Sequence, residues 1–226
     1  MDGWPVSAEE LFLAELRERL FAHFVGGCWR VPLAERHLPV LPGKEAPGAG
    51  GAATGLGQIV CAGAEDIARA RALLGGDCAA HEAFRAALAE RAGVLETLRQ
   101  VEGGPVAPEG FAVPDALPAL PGPGGVWVLL SAAGMPPQDL AALLIAGARA
   151  GGMIWKPAPR AAASAHLLME ALGPLAGGRL AMVQGDHATG GLLAGAGALI
   201  WASPAPPPPD LPTPMFSLRP RATGRR

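Results

Sequence analysis

The chain contains no tyrosine, and aromatic residues make up only 5% of its 226 positions. Its core therefore cannot rest on large rings. Half of the residues are apolar and alanine is prominent among them, which predicts closely packed helices on a Val/Leu/Ile sheet. Trp29, Trp127, Trp155 and Trp201 are the expected bulky core members. Charge of either sign is also scarce: charged residues are 17% of the chain and the formal net charge is -2. That balance offers no electrostatic argument for nucleic acid or an anionic membrane as a partner, and neither is expected. No apolar run approaches the roughly 20 residues of a spanning helix, and the best candidate, 140–148, is too short. Glu9, Glu10, Glu15, Arg17, Glu18 and Arg19 interrupt the start, so no secretory signal is expected there. The three cysteines, Cys28, Cys61 and Cys78, are widely spaced, with neither a Cys-x-x-Cys nor a His/Cys pattern. Reduced, small core thiols, no metal site and a cytoplasmic setting follow as expectations.

What the chain does contain falls into four stretches. Residues 1–103 read as helices and a hairpin packing on a sheet. Ser7 caps a first helix with Glu10 completing the capping box, and Leu11, Leu13, Leu16, Leu20 and Phe24 follow at helical spacing. Phe24-Val25-Gly26-Gly27-Cys28-Trp29 predicts a hairpin with the glycines at its tip. Residues 39–57 read as a loop, 58–61 as a short strand, and 64–74 and 81–101 as amphipathic helices. Residues 104–125 form a connector dense in proline and glycine.

From 126 to 203 apolar strands (126–130, 153–155, 179–183, 198–201) alternate with helices (138–150, 161–172, 185–194). This alternation predicts an α/β fold, a Rossmann-like parallel sheet with flanking helices and right-handed crossovers. Such sheets bind ligands beyond the carboxyl ends of their strands, here at 131–135, 156–160, 185–186 and 202–204. The basic, proline-rich stretch 204–226 reads as a polyproline-like or disordered tail.

The order of motifs at those strand ends resembles the coenzyme-binding half of the NAD(P)-dependent aldehyde dehydrogenase superfamily. The likeness is carried by Gly125-Val126-Trp127-Val128-Leu129-Leu130-Ser131 with Gly134-Met135-Pro136, by Gly152-Met153-Ile154-Trp155-Lys156-Pro157-Ala158, and by Met182-Val183-Gln184-Gly185-Asp186. The early hairpin and Gly57-Gln58-Ile59-Val60 agree with it, so the resemblance covers about residues 20–204. It implies a coenzyme site at Lys156, Pro157, Ser131 and Gly185, with Lys156 donating to the adenosine ribose of NAD or NADP. It also implies losses. Pro159 stands where an acidic residue is usual, and Gly134 where the family has its oxyanion asparagine. Ser203-Pro204 replaces the Gly-Ser pair that opens a helix under the pyrophosphate.

None of the three cysteines matches the nucleophile, and the family's glutamate base and catalytic domain fall beyond the matching stretch. The resemblance therefore implies a noncatalytic or accessory subunit, weak in NAD(P) binding, that packs on a full-length aldehyde dehydrogenase or on a second copy. The alternatives are an oxidoreductase active only with a partner supplying Cys and Glu, and a structural domain without ligand. Among individual residues, Lys156 reads either as a nucleotide donor or as a solvated strand-end lysine. Asp186 reads as a helix cap, His187 as exposed, and His166 as a packing histidine.

Overall fold

A computed structural model describes residues 22–40, 57–103, 114–121 and 125–218. The helix expected after Ser7 lies outside these residues, as does most of the connector. Strand β1 (His23–Val25) turns into β2 (Cys28–Arg30) through Gly26 and Gly27. Both glycines have positive φ (61° and 80°), which a two-residue hairpin of this hand requires. β3 (His37–Val40) and β4 (Gly57–Val60) follow, then α1 (Ala64–Ala72) and α2 (His81–Val101). The alternating segment supplies β5 (Trp127–Ser131), α3 (Pro137–Ala150), β6 (Met153–Pro157), α4 (Ala162–Leu172), β7 (Leu180–Met182), α5 (His187–Ala194) and β8 (Ala198–Ala202). A last strand, β9, covers Phe216–Leu218.

The α/β expectation holds. Seven strands form one sheet in the order β2-β1-β7-β6-β5-β8-β9, with β7 through β9 parallel to one another. Three details differ from the sequence reading. The hairpin does not pack on the sheet but extends it, since β1 pairs antiparallel with β7. Residues 37–40, half of which had read as loop, pair with β4 as a separate two-stranded sheet. The tail is no polyproline throughout: Phe216–Leu218 pairs with β8 and forms the edge of the sheet beside it.

Strand alternation divides the core into two faces. Trp127, Leu129, Met153, Trp155, Leu180 and Met182 face α2, α3 and α4. Val128, Leu130, Ile154, Ala181, Val183 and Leu199 face α1 and α5. On the first face α3 is buried along almost its whole length, and its alanines let it sit close to the sheet. The helix α2 buries Phe84, Leu88, Leu95 and Leu98, each contributing about 1.5–3 kcal/mol of apolar transfer. Its C-cap Glu102 accepts from the backbone N–H groups of Ala163 and Ser164, satisfying the start of α4. Trp155 and Trp127 are core members as expected, whereas Trp29 and Trp201 are half-buried. His166 is buried and stacks on Trp29 with ring centroids 4.0 Å apart. Cys61 is buried and Cys78 half-buried, but Cys28 is exposed: β2 is an edge strand, and position 28 faces away from the core.

Candidate functional site

The chain steps from β5 to β6 to β7 in one direction, then crosses to β8 on the other side of β5. The helices change faces with it: α3 and α4 lie on one face of the sheet and α5 on the other. This reversal is a topological switch point, where a parallel sheet opens a crevice at its carboxyl ends. A cavity of about 270 Å³ lies there. Its floor is Leu130, Ser131 and Lys156, its walls include Pro159 and Gly190, and Trp201 and Leu211 close one side.

Lys156 is the polar centre of this cavity. It follows Trp155 on β6, and alternation turns it toward α5, where Gly190 leaves room for its methylenes. It is 8% exposed, so it is not a solvated strand-end lysine. Burial lowers its pKa to about 8, with Asp186 and Cys61 acting in the opposite sense. No hydrogen bond holds its ammonium among the described residues.

Asp186 caps α5 as expected, accepting from the Thr189 N–H at 3.2 Å. Its second partner lies too far along the chain for any spacing to signal. Arg36 reaches across from the segment before β3 and grips both carboxylate oxygens, one of them at 2.8 Å. This guanidinium holds the Asp186 carboxyl well below the ordinary range. His187, the first residue of α5, is exposed at the cavity mouth. Cys61 lies next to this group without lining the cavity; burial pushes its thiol up, away from a reactive thiolate.

Of the four residues expected at a coenzyme site, Ser131 and Lys156 line the cavity, and Pro157 and Gly185 do not. Ser131 contributes little polarity, because its hydroxyl is taken up on the other face of the sheet, accepting from Trp155 Nε1 at 2.9 Å. Pro157 is buried and ends β6, paired with Ser131. Gly185 has a backbone role: its φ is 156°, and a Cβ there would lie 2.3 Å from Thr189 Oγ1. Gly134 is exposed, with nothing within 4 Å of where a Cβ would stand.

Sequence and structure together define an α/β domain whose mostly parallel sheet carries a crevice at its switch point. No family model matches the chain, and no curated protein matches it. Solved structures do, and they are aldehyde dehydrogenases. An aldehyde dehydrogenase C variant from Pseudomonas syringae, in complex with NAD+ and octanal, is 17% identical with a TM-score of 0.57, over 83% of this chain and 46% of that one. The Δ-pyrroline-5-carboxylate dehydrogenase from Mycobacterium tuberculosis, bound with NAD and cobalamin, is 18% identical with a TM-score of 0.60, over 90% and 47%. HpcC from Thermus thermophilus is 21% identical with a TM-score of 0.54, over 85% and 46%. The chain thus has the fold of one half of these enzymes and spans about half their length. Among the described residues no helix is long and apolar enough to cross a membrane, and no group of His, Cys, Asp and Glu is arranged to hold a metal ion.

Proposed function

We propose that the chain is a noncatalytic, aldehyde-dehydrogenase-like unit that holds the nucleoside end of NAD or NADP weakly and serves as an accessory subunit. The observation that carries this reading is the pairing of a buried Lys156 with a crossover that offers no phosphate site. A ribose hydroxyl fits the ammonium, which has donors to give in a crevice of the right kind. A pyrophosphate does not fit. It needs backbone N–H groups at a helix start, but β8 runs into Ser203-Pro204 and a proline-rich crossover, and proline offers no N–H. A cavity of about 270 Å³ also falls below the range of about 300–1,000 Å³ typical of ligand pockets. Lys156 would orient a sugar there, and no redox step follows from this chain's residues. Leu192 and Met215, both more than half exposed, supply apolar surface for a partner subunit, either a full-length dehydrogenase or a second copy.

Calorimetric titration of the purified chain with NAD, NADP and AMP tests this reading. All three should bind alike, with Kd of about 1 mM, and Lys156→Met should abolish binding. NAD binding a hundredfold tighter than AMP would mean that a pyrophosphate site exists and would overturn the reading. Aldehyde-dependent NAD reduction by the chain alone would overturn it equally. Co-expression with an aldehyde dehydrogenase should recover a stoichiometric complex if the accessory role is correct.

A further inference from the structure

Lysine is rare in this chain. Of 18 Lys and Arg residues, only Lys44 and Lys156 are lysine; the other 16 are arginine. The buried base of the crevice is therefore one of the few basic groups here that can lose its proton and act as a nucleophile, which a guanidinium cannot do. Its surroundings are mainly apolar: Leu130, Ala132, Ala158, Trp201 and Leu211 line the same cavity. The charges nearby do not favour an anionic ligand. Asp186 stands at the mouth with its negative charge committed to Arg36 and to the start of α5, so that helix end is already capped. A small neutral molecule fits this space, as the neutral sugar of a nucleoside does.

From Lys156, 8% exposed and held by no hydrogen bond among the described residues, and from its mainly apolar cavity, we infer that Lys156 captures small neutral carbonyl compounds as an imine. The nitrogen lone pair attacks the carbonyl carbon to give a carbinolamine. The C–O bond then breaks, the two amine hydrogens leave with the oxygen as water, and a C=N bond remains. No oxidant or reductant takes part. Burial favours the reaction, because it raises the share of neutral amine near neutral pH. The groups that set this protonation are Asp186 and Cys61, with Arg36 and His187 close by at the mouth. The inference rests on the cavity and its lysine and not on nucleotide binding.

The probe is pentane-2,4-dione, a small neutral diketone whose imine with a lysine rearranges to an enaminone absorbing in the near ultraviolet. Full-length chain at pH 7.5 should give one fast enaminone. Peptide mass mapping should place it on Lys156, formed about ten times faster than on Lys44, as the lowered pKa of a buried amine predicts. Lys156→Arg should remove the fast phase and leave Lys44 labelling unchanged. Ala132→Phe, which keeps the lysine and fills the cavity, should slow the fast phase at least fivefold, with circular dichroism confirming that both variants are folded. Labelling of Lys156 no faster than Lys44, or a fast phase unchanged by Ala132→Phe, would overturn the inference. Loss of NAD binding with the fast phase intact would sink only the nucleotide reading, and the converse would sink only this one.

Discussion

Acid should unfold this protein through His23, and the structure gives a magnitude. His23 is fully buried in β1. Its Nδ1 accepts from the Gln184 N–H at 3.3 Å, which puts the ring proton on Nε2, facing Asp66 Oδ2 at 3.9 Å. A second proton at Nδ1 would set two donors against each other and leave a charge in the core. Burial is the largest influence and lowers the His23 pKa from 6.5 to about 4, with Asp66 pulling the other way and Arg69 adding to the lowering. The sign follows from proton counts: between about pH 4 and 6.5 the unfolded chain binds this proton and the folded chain does not. The contribution is therefore complete above pH 6.5 and is lost as pH falls toward 4. A lowering from 6.5 to about 4 corresponds to about 3 kcal/mol of stability lost by pH 4, a large share of the ~5–15 kcal/mol that holds a domain folded.

Urea unfolding at pH 7 and pH 4 on the wild type and on His23→Asn checks this. The asparagine amide oxygen can accept from Gln184 without titrating, and the remaining histidines and the carboxylates cancel in the comparison. The wild type should lose about 3 kcal/mol more than the variant between the two pH values. A difference under about 0.5 kcal/mol, within the scatter of such extrapolations, would refute the account.

Gly185→Ala should destabilise by about 2–4 kcal/mol, because its φ is positive and a Cβ would clash with Thr189; a thermal melt within 2 °C of wild type, set against the several degrees that ~1 kcal/mol moves a small domain, would contradict this. Asp186→Ala should cost about 1 kcal/mol through the lost cap of α5. It should also lower the Lys156 pKa further by removing a neighbouring anion, so that enaminone formation at pH 7 speeds up. A slower reaction in a folded variant would show that Asp186 does not act on the lysine in that sense.

The elements legible in the sequence were those with a local cause. Apolar runs of strand length marked β5 through β8, and Gly26-Gly27 marked the hairpin tip. The spacing around Lys156 placed it at a strand end, and alternation along β6 carried its side chain to the α5 face. Whether it was buried depended on α5 and on the tail, which no window around Lys156 contains. The same holds for Asp66. It sits in the first turn of α1, where an acid is ordinary, yet it is buried and also accepts from the N–H groups of Leu33 and Ala34 and from Arg69. Arg36 and Asp186 meet across 150 residues of chain. Sequence spacing carries no signal for such pairs, because folding brings them together and local propensity does not.

The tail shapes one side of this crevice. Parallel neighbours need a crossover of a dozen or more residues, and a helix usually provides it. Between β8 and β9 the link is proline-rich and contains no helix. It is held by its own bonds: Trp201 Nε1 donates to the Ala205 carbonyl at 2.7 Å, the Ala205 N–H to Ser203 Oγ at 3.1 Å, and the Leu211 N–H to the Pro208 carbonyl at 3.1 Å. Proline suits a link of this kind, because its fixed φ limits the entropy lost on ordering and its missing N–H leaves no buried donor unpaired. The same link brings Leu211 beside Trp201 over the cavity. The proline-rich link thus joins the last strand to the sheet and helps wall a small, mainly apolar cavity around Lys156.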